Sequence, residues 1–196
     1  MKKSLIAIIA IAAIVAAIFF WYTGLYNKMV TADEIVTSQW GNVENQYQRR
    51  SDLIPNLVAT VKGYATHEES TLKGVIEARA KATQVTVDPT NITPEALAEF
   101  QAAQSGVSSA LSRLLVSVEA YPDLKANQNF LDLQSQLEGT ENRISTERTR
   151  FNEEAKGFNT LVRQFPNNIV ANISGFNIKP YFKSEEGADK APKIEF

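Results

Sequence analysis

Residues 4–23 contain no charged side chain, and this stretch limits the folds open to the chain more than any other feature. Within it, residues 5–22 form an uninterrupted apolar run of 18 residues. As a helix this run would span roughly 27 Å, close to the ~30 Å hydrocarbon core of a bilayer. Aromatic residues close the run, as they often do where a span meets the lipid headgroups. The sequence therefore predicts a membrane anchor, with the lipid-facing residues Leu5, Ile8, Ile11, Ile14, Val15, Ile18, Phe19, Phe20, Trp21 and Tyr22.

A cleaved signal peptide is the competing interpretation of the same run. A signal peptide needs a short apolar core followed by small residues at a cleavage site. Here the small residues, such as Ala12 and Ala16, lie inside the core, and bulky aromatic residues follow it. The chain also has no Cys to which a lipid could be attached. We therefore expect the segment to be retained as an anchor.

The basic residues on either side of the span predict its orientation. Lys2 and Lys3 precede it, whereas Lys28 is the only basic residue between the span and Arg49. Because positively charged flanks stay in the cytoplasm, we expect a cytoplasmic N-terminus and a domain on the far side of the inner membrane. The difference amounts to a few charges, so the reverse orientation stays open.

Beyond the span, apolar residues recur three or four positions apart, a spacing that predicts helices. The first helix is expected to run on from the span to about residue 47, because Gly24 is only a weak break. We predict that a second helix begins near Asp52 as its N-cap and accepts Pro55 in its first turn. It is expected to continue past Gly63, which lowers helix stability without ending the helix.

Two further helices follow a Pro-containing loop at residues 87–94. Thr93 is the expected N-cap of the third helix, with Pro94 at its first position, and Pro122 ends it. The fourth helix is predicted from about residue 127 to residue 164. A short helix or turn at residues 169–178 and a contact of residues 180–182 with the bundle complete the pattern.

These patterns predict an all-α chain, in which one N-terminal transmembrane helix continues into an elongated antiparallel four-helix bundle. We divide the chain into an anchor at residues 1–23, a helical bundle at residues 24–182 and a tail at residues 183–196. The tail has mixed charge and no periodicity, so we expect it to be flexible unless it docks on a neighbour.

The residue types exclude several classes of function. Two of the 20 Lys and Arg residues precede position 24, which leaves 18 basic residues against 22 acidic ones and argues against a nucleic-acid partner. With no Cys and with His67 as the single histidine, the chain lacks the usual ligands of a zinc or di-iron site. The polar neighbours of His67 indicate a solvated helix surface. We therefore expect no enzyme activity, no cofactor and no small-molecule substrate.

Two polar segments are candidates for a subunit interface or a structural junction. They are Arg49, Arg50 and Asp52 in the first segment, and Glu141, Asn142 and Arg143 in the second. For the first we favour a capped helix start with an Arg–carboxylate pair over a contact with an anion or a partner. The second lies mid-helix, where polar groups face solvent or form hydrogen bonds across the bundle or a subunit interface.

Several sequence segments closely resemble the LemA family of bacterial membrane-anchored proteins. They are residues 48–58 (QRRSDLIPNLV), 60–65 (TVKGYA), 67–68 (HE), 119–126 (EAYPDLKA) and 137–144 (LEGTENRI), with Tyr26-Asn27, Phe151-Asn152 and Phe158-Asn159. The resemblance extends from the span to about residue 182. It implies an N-terminal anchor followed by an elongated helical bundle, and it implies no enzymatic activity or cofactor.

Two functional hypotheses follow for a protein at the bacterial inner membrane. The first is a scaffold, anchored in membrane lipid, that self-associates into a higher-order homo-oligomer. Trp40, Tyr47 and Phe151 could lie between subunits, although the helical spacing of Trp40 and Tyr47 is more typical of a core. The alternative is a tethered adaptor that presents its bundle to an envelope protein partner, such as a protease or a transport complex.

Overall fold

The computed structural model describes residues 2–65 and 68–184, and the described part of the chain consists of helices and loops without strands. The helices are α1 (Lys2–Lys62), α2 (Glu69–Gln84), α3 (Pro94–Val118), α4 (Pro122–Lys125), α5 (Gln128–Arg163) and α6 (Asn167–Ser174). The predicted all-α class is confirmed. His67 and residues 185–196 of the tail lie outside the described residues.

The helix α1 is both the membrane span and the longest element of the bundle. It holds 61 residues and is therefore roughly 90 Å long. Within residues 2–65 and 68–184, it carries the one segment that is long and apolar enough to cross a membrane. The apolar side chains of that segment, from Leu5 to Trp21, are exposed rather than packed against the protein. This arrangement is the one expected of a membrane anchor.

The predicted start of a new helix at Asp52 is wrong. Arg49, Arg50 and Asp52 all lie inside α1, and the helix continues for ten residues beyond Asp52 to Lys62. The expectation that Gly63 does not end the helix is also wrong. α1 stops beside Gly63, a turn follows at residues 63–64, and α2 begins at Glu69.

The continuation of α1 through Pro55 has a specific cause. Proline lacks the N–H that would bond the carbonyl of Ser51 four residues earlier. In the structure, Arg79 of α2 supplies the missing donor: its Nε donates to the Ser51 carbonyl oxygen at 2.8 Å and to the Ser51 Oγ at 3.1 Å. Because the orphaned carbonyl is satisfied, the helix does not need to break.

The starts of α3 and α5 lie where the sequence predicted them, and the predicted cap of α3 is present. Thr93 accepts a hydrogen bond from the backbone N–H of Ala96 at its Oγ1 (3.1 Å), and Pro94 is the first residue of α3. Asn127 caps α5 in the same way, since its Oδ1 accepts from the N–H of Phe130 at 3.1 Å. These side chains satisfy N–H groups that have no partner within the helix.

Hydrogen bonds along α1 show the direction of the last long helix. Tyr22 bonds Ser174 (2.9 Å), Gln39 donates to Glu147 (2.8 Å) and Arg50 donates to Glu141 (2.7 Å). As the position on α1 rises, the position of its partner falls, so α5 and α6 return towards the membrane span. Since α2 also runs towards the membrane span and α3 runs away from it, the chain forms an antiparallel bundle.

The interior of the bundle divides into two apolar clusters. The membrane-side core contains Met29, Val36, Trp40, Val43, Tyr47, Phe100, Ile144, Phe151, Phe158 and Phe182 among others. The distal core contains Ile54, Leu57, Val61, Val75, Val107, Leu111, Leu114, Phe130 and Leu137 among others. The two meet near residue 50 of α1, where the buried side chains are polar.

Candidate functional site

Arg50 is the largest polar group in the interior, with 2% of its surface exposed. Its Nη1 donates to the Ser108 Oγ and to the Glu141 Oε1, both at 2.7 Å. Its Nη2 donates to the backbone oxygen (3.0 Å) and the side-chain Oε1 (2.7 Å) of Gln104. The guanidinium also lies 5.1 Å from the centre of the Tyr47 ring. Arg50 therefore joins α1, α3 and α5 at one level.

This layer of polar contacts separates the two apolar cores. A buried guanidinium is costly to desolvate unless its donors are bonded and its charge is compensated. Here the compensating carboxylate, Glu141, keeps 42% of its side chain exposed and so remains partly hydrated. If α5 shifted by one turn, Arg50 would be left without that carboxylate. The layer therefore fixes the register of the three helices more than it adds to stability.

A cleft of about 180 Å³ adjoins Arg50 between α1, α2 and α3. Its polar lining includes Glu44, Arg50, Arg79 and Gln104. The Arg50 guanidinium donates to Gln104, Ser108 and Glu141. The Arg79 Nε donates to Ser51. Burial raises the pKa of Glu44, and it also raises the pKa of the Tyr47 hydroxyl. The two arginines of this cleft thus form a structural junction, because their described hydrogen bonds go to groups of the chain itself.

The structure brings together only part of the predicted site. Arg50 and Glu141 form the expected Arg–carboxylate pair, although inside a helix rather than at a helix start. Arg49 is exposed, and Asp52 accepts from Gln48 on the outside of α1. Asn142 and Arg143 are exposed on α5. Trp40 and Tyr47 are buried in the membrane-side core.

A second site is formed by residues 176–184, which we call the C-terminal strap, and the sequence reasoning missed the asparagine side chains that hold it. Asn159 of α5 pairs with the backbone of Lys179, accepting from its N–H (2.7 Å) and donating to its carbonyl (2.8 Å). Asn152 pairs with Phe182 in the same way, at 2.8 and 3.0 Å. The two asparagines are seven residues apart and therefore share one face of α5. Each asparagine side chain thus makes the two backbone hydrogen bonds that a neighbouring β-strand would make.

Aromatic packing fastens the strap to the membrane-side core. The Phe182 ring stacks on Trp40 at 5.8 Å between centres, and it meets Phe151 edge-on at 5.4 Å. The Lys183 carbonyl accepts from Gln101 and Arg148, both at 2.7 Å. The expected contact of residues 180–182 with the bundle is thus present, and it extends to a residue that had been assigned to the tail.

Lys179 anchors the other end of the strap. Its side chain is buried, its Nζ lies 2.7 Å from the Asp33 Oδ1, and it faces the Phe158 ring at 5.6 Å. The pair ties the strap to α1. A regular spacing of Phe-Asn pairs in α5 was visible in the sequence, but its purpose depends on a segment that lies 20 to 30 residues further on.

Comparison with known proteins places the chain among sequence relatives. Residues 39–196 match the LemA family, and thus most of the bundle and the strap fall within the match. The chain is 26% identical to magnetosome protein MamQ 2 of Paramagnetospirillum magneticum, over 94% of this chain and 72% of that protein. It is 25% identical to protein LemA of Metamycoplasma hominis, over 85% of this chain and 73% of that protein. The chain belongs to the LemA family.

Proposed function

We propose that this protein is a non-enzymatic scaffold of the bacterial inner membrane that self-associates into a higher-order homo-oligomer. The observation that carries the proposal is that one uninterrupted helix, α1, is both the anchor and the central wall of the bundle. A continuous helix fixes the angle between the bundle and the span. Copies anchored in the same membrane then present the same faces to one another at a high effective concentration.

The face formed by α1 and α5 above the membrane supports lateral contact. Ile35 is 47% exposed there, between two shallow grooves of about 490 and 570 Å³. In one of these grooves, Gly157 leaves open space where another residue would place a Cβ atom. We propose that Ile35 of one copy packs into this face of a neighbour, because an apolar side chain beside an unfilled groove gains from burial.

Ile35→Arg tests this proposal, with Ile76→Arg on α2 as its matched control because Ile76 is 49% exposed. The full chain is extracted in mild detergent, and its mass is measured by mass photometry, with negative-stain electron microscopy for shape. We expect the wild type and Ile76→Arg to form particles of several 21.7 kDa protomers, and Ile35→Arg to form smaller ones. Circular dichroism checks that both variants keep their helices.

Two results would contradict the scaffold. The first is a wild-type chain that stays monomeric both in detergent and after cross-linking in membranes. The second is co-purification of a stoichiometric envelope protein with little self-association, which would favour the adaptor. A third outcome, an Ile35→Arg variant that assembles as the wild type does, would place the contact away from Ile35 and overturn the proposed face.

The orientation is part of the proposal, with the N-terminus in the cytoplasm and the bundle on the far side. Lys2 and Lys3 before the span support it through the positive-inside rule. Protease treatment of inner-membrane vesicles tests it. Because the cytoplasmic face of such vesicles is outward, the bundle should be protected until the vesicles are opened. Digestion of the bundle in sealed vesicles would show that the chain has the opposite orientation.

A further inference from the structure

Residues 164–178, between Arg163 and Lys179, are the longest stretch without charged side chains after the one that contains the span. The helix α6 occupies its centre. Val170 and Ala171 face the bundle and are buried, but the apolar side chains on the opposite side are open. Phe165 is 81% exposed and Ile173 is 70% exposed, and Ile169 and Ile178 are exposed as well. A soluble surface rarely gathers so many large apolar side chains without a binding role.

The position of this surface relates it to the membrane. The Tyr22 hydroxyl, at the aromatic end of the span, hydrogen-bonds the Ser174 Oγ at 2.9 Å. The Tyr26 ring, one turn further along α1, lies 5.7 Å from the Phe176 ring. α6 is therefore fixed beside the residues at which α1 leaves the hydrocarbon region, and its level along the membrane normal follows from that of Tyr22.

We propose that residues 164–178 rest on the membrane interface as a second lipid contact beside the span, with Phe165, Ile169 and Ile173 inserted among the headgroups. An amphipathic helix of this kind buries its apolar face about 5–10 Å into the boundary between headgroups and acyl chains. The proposal is independent of self-association, since it needs only the anchor and the position of α6.

Basic side chains close to this surface suit anionic lipid. Lys28 of α1 and Gln164 line one shallow groove between α1 and the end of α5. Arg163, the last residue of α5, directly precedes the charge-free stretch. Both basic side chains are exposed. A basic residue near an anionic surface is attracted to it, and this attraction adds to the burial of the apolar residues. Together with the span, these contacts would hold the bundle at two points and restrict its tilt.

The absence of Cys from the sequence makes a direct test available. Ile173→Cys carries an environment-sensitive fluorophore, and Val116→Cys at the distal end serves as the control because Val116 is 73% exposed. Phe165→Cys is a second test position, so that a local effect of one label is recognised. The full chain is reconstituted into vesicles of phosphatidylethanolamine and phosphatidylglycerol. Each label is then challenged with aqueous iodide and, separately, with lipids that carry a quencher on the acyl chain.

We expect the labels at positions 165 and 173 to be quenched by the acyl-chain quencher and to lose at least about threefold in iodide accessibility, as for side chains at the headgroup boundary. The label at position 116 should be open to iodide and insensitive to the lipid quencher. Equal iodide accessibility at all three positions would overturn the proposal. Protection from iodide without quenching by lipid would also overturn it, because a protein rather than lipid would then cover α6.

Discussion

Arg50 of α1 donates a 2.7 Å hydrogen bond to Glu141 of α5 across the boundary between the two apolar cores. We predict that Arg50→Ala lowers the free energy of unfolding by about 1–3 kcal/mol, since Gln104 and Ser108 lose the donor that satisfies them inside the bundle. Urea unfolding of the full chain in detergent, followed by circular dichroism, measures this change. Arg49→Ala is the control at an exposed neighbouring position, and we expect it to stay within about 0.5 kcal/mol of the wild type. A similarly small effect of Arg50→Ala would show that the polar layer does not hold the helices.

The contact between Arg79 and the Ser51 carbonyl should depend on Pro55. We expect Arg79→Ala to lower the free energy of unfolding by about 1–3 kcal/mol, because a partly buried carbonyl loses its donor. In a Pro55→Ala background, the residue at position 55 can donate to the same carbonyl, and the effect of Arg79→Ala should shrink.

A double-mutant cycle with Arg79→Ala and Pro55→Ala measures this coupling by urea unfolding. Hydrogen exchange of the amides around residue 55 provides a second readout, because fraying of α1 there should follow the loss of Arg79. Strictly additive effects of the two substitutions would contradict the compensation that we infer.

Burial of Glu44 predicts a particular dependence of stability on pH. Because burial raises the pKa of Glu44 above its ordinary value of 4.5, the folded chain holds this proton more tightly than the unfolded chain. From pH 4.5 up to the raised pKa, this group therefore lowers the stability as the pH rises.

Glu44→Gln should remove that contribution, so that the variant gains stability relative to the wild type as the pH rises through the same window. Urea midpoints measured at a series of pH values test the difference. Glu34→Gln, at an exposed position on the same helix, is the control. A difference between Glu44→Gln and the wild type that does not change with pH would contradict this prediction.

The asparagine pairs of α5 should control the attachment of the C-terminal strap. Asn159→Ala leaves the backbone N–H and carbonyl of Lys179 without partners, and we expect a loss of about 1–3 kcal/mol in the stability of the strap. Hydrogen exchange should show faster exchange at Lys179 and Phe182 than in the wild type. Asn142→Ala, at an exposed position of α5, should leave both amides protected. Unchanged protection in Asn159→Ala would mean that aromatic packing alone holds the strap.

The parts of the fold that were predictable are those specified by local sequence. The apolar run at residues 5–22, the cap at Thr93 and the start of a helix at about residue 127 each depend on nearby residues, and the structure has the corresponding span and helix starts. The start assigned to Asp52 was wrong because Asp52 followed by Pro55 has the pattern of a helix N-terminus. What keeps the helix intact is Arg79, and only the tertiary structure brings it to Ser51.

The site was only partly predictable for the same reason. Arg50 and Glu141 were both candidates, but they are 91 residues apart, and no periodicity shows that they pair. The strap was harder still, because it has no regular secondary structure and its hydrogen bonds go to side chains of α5. Phe182 could be expected to touch the bundle, whereas its place over Trp40 could not.

The strap has a consequence for how the chain is made. The ribosome synthesises Trp40 and Phe151 well before Phe182, the ring that covers them both. The span has left the ribosome long before that point. The bundle is therefore already anchored to the membrane while the aromatic surface of Trp40 and Phe151 is still uncovered. Completion of the membrane-side core therefore has to wait until the strap has been synthesised. A message truncated just before the codons for the strap would give a tethered bundle with an apolar flank uncovered, which is the type of product that cellular quality control recognises.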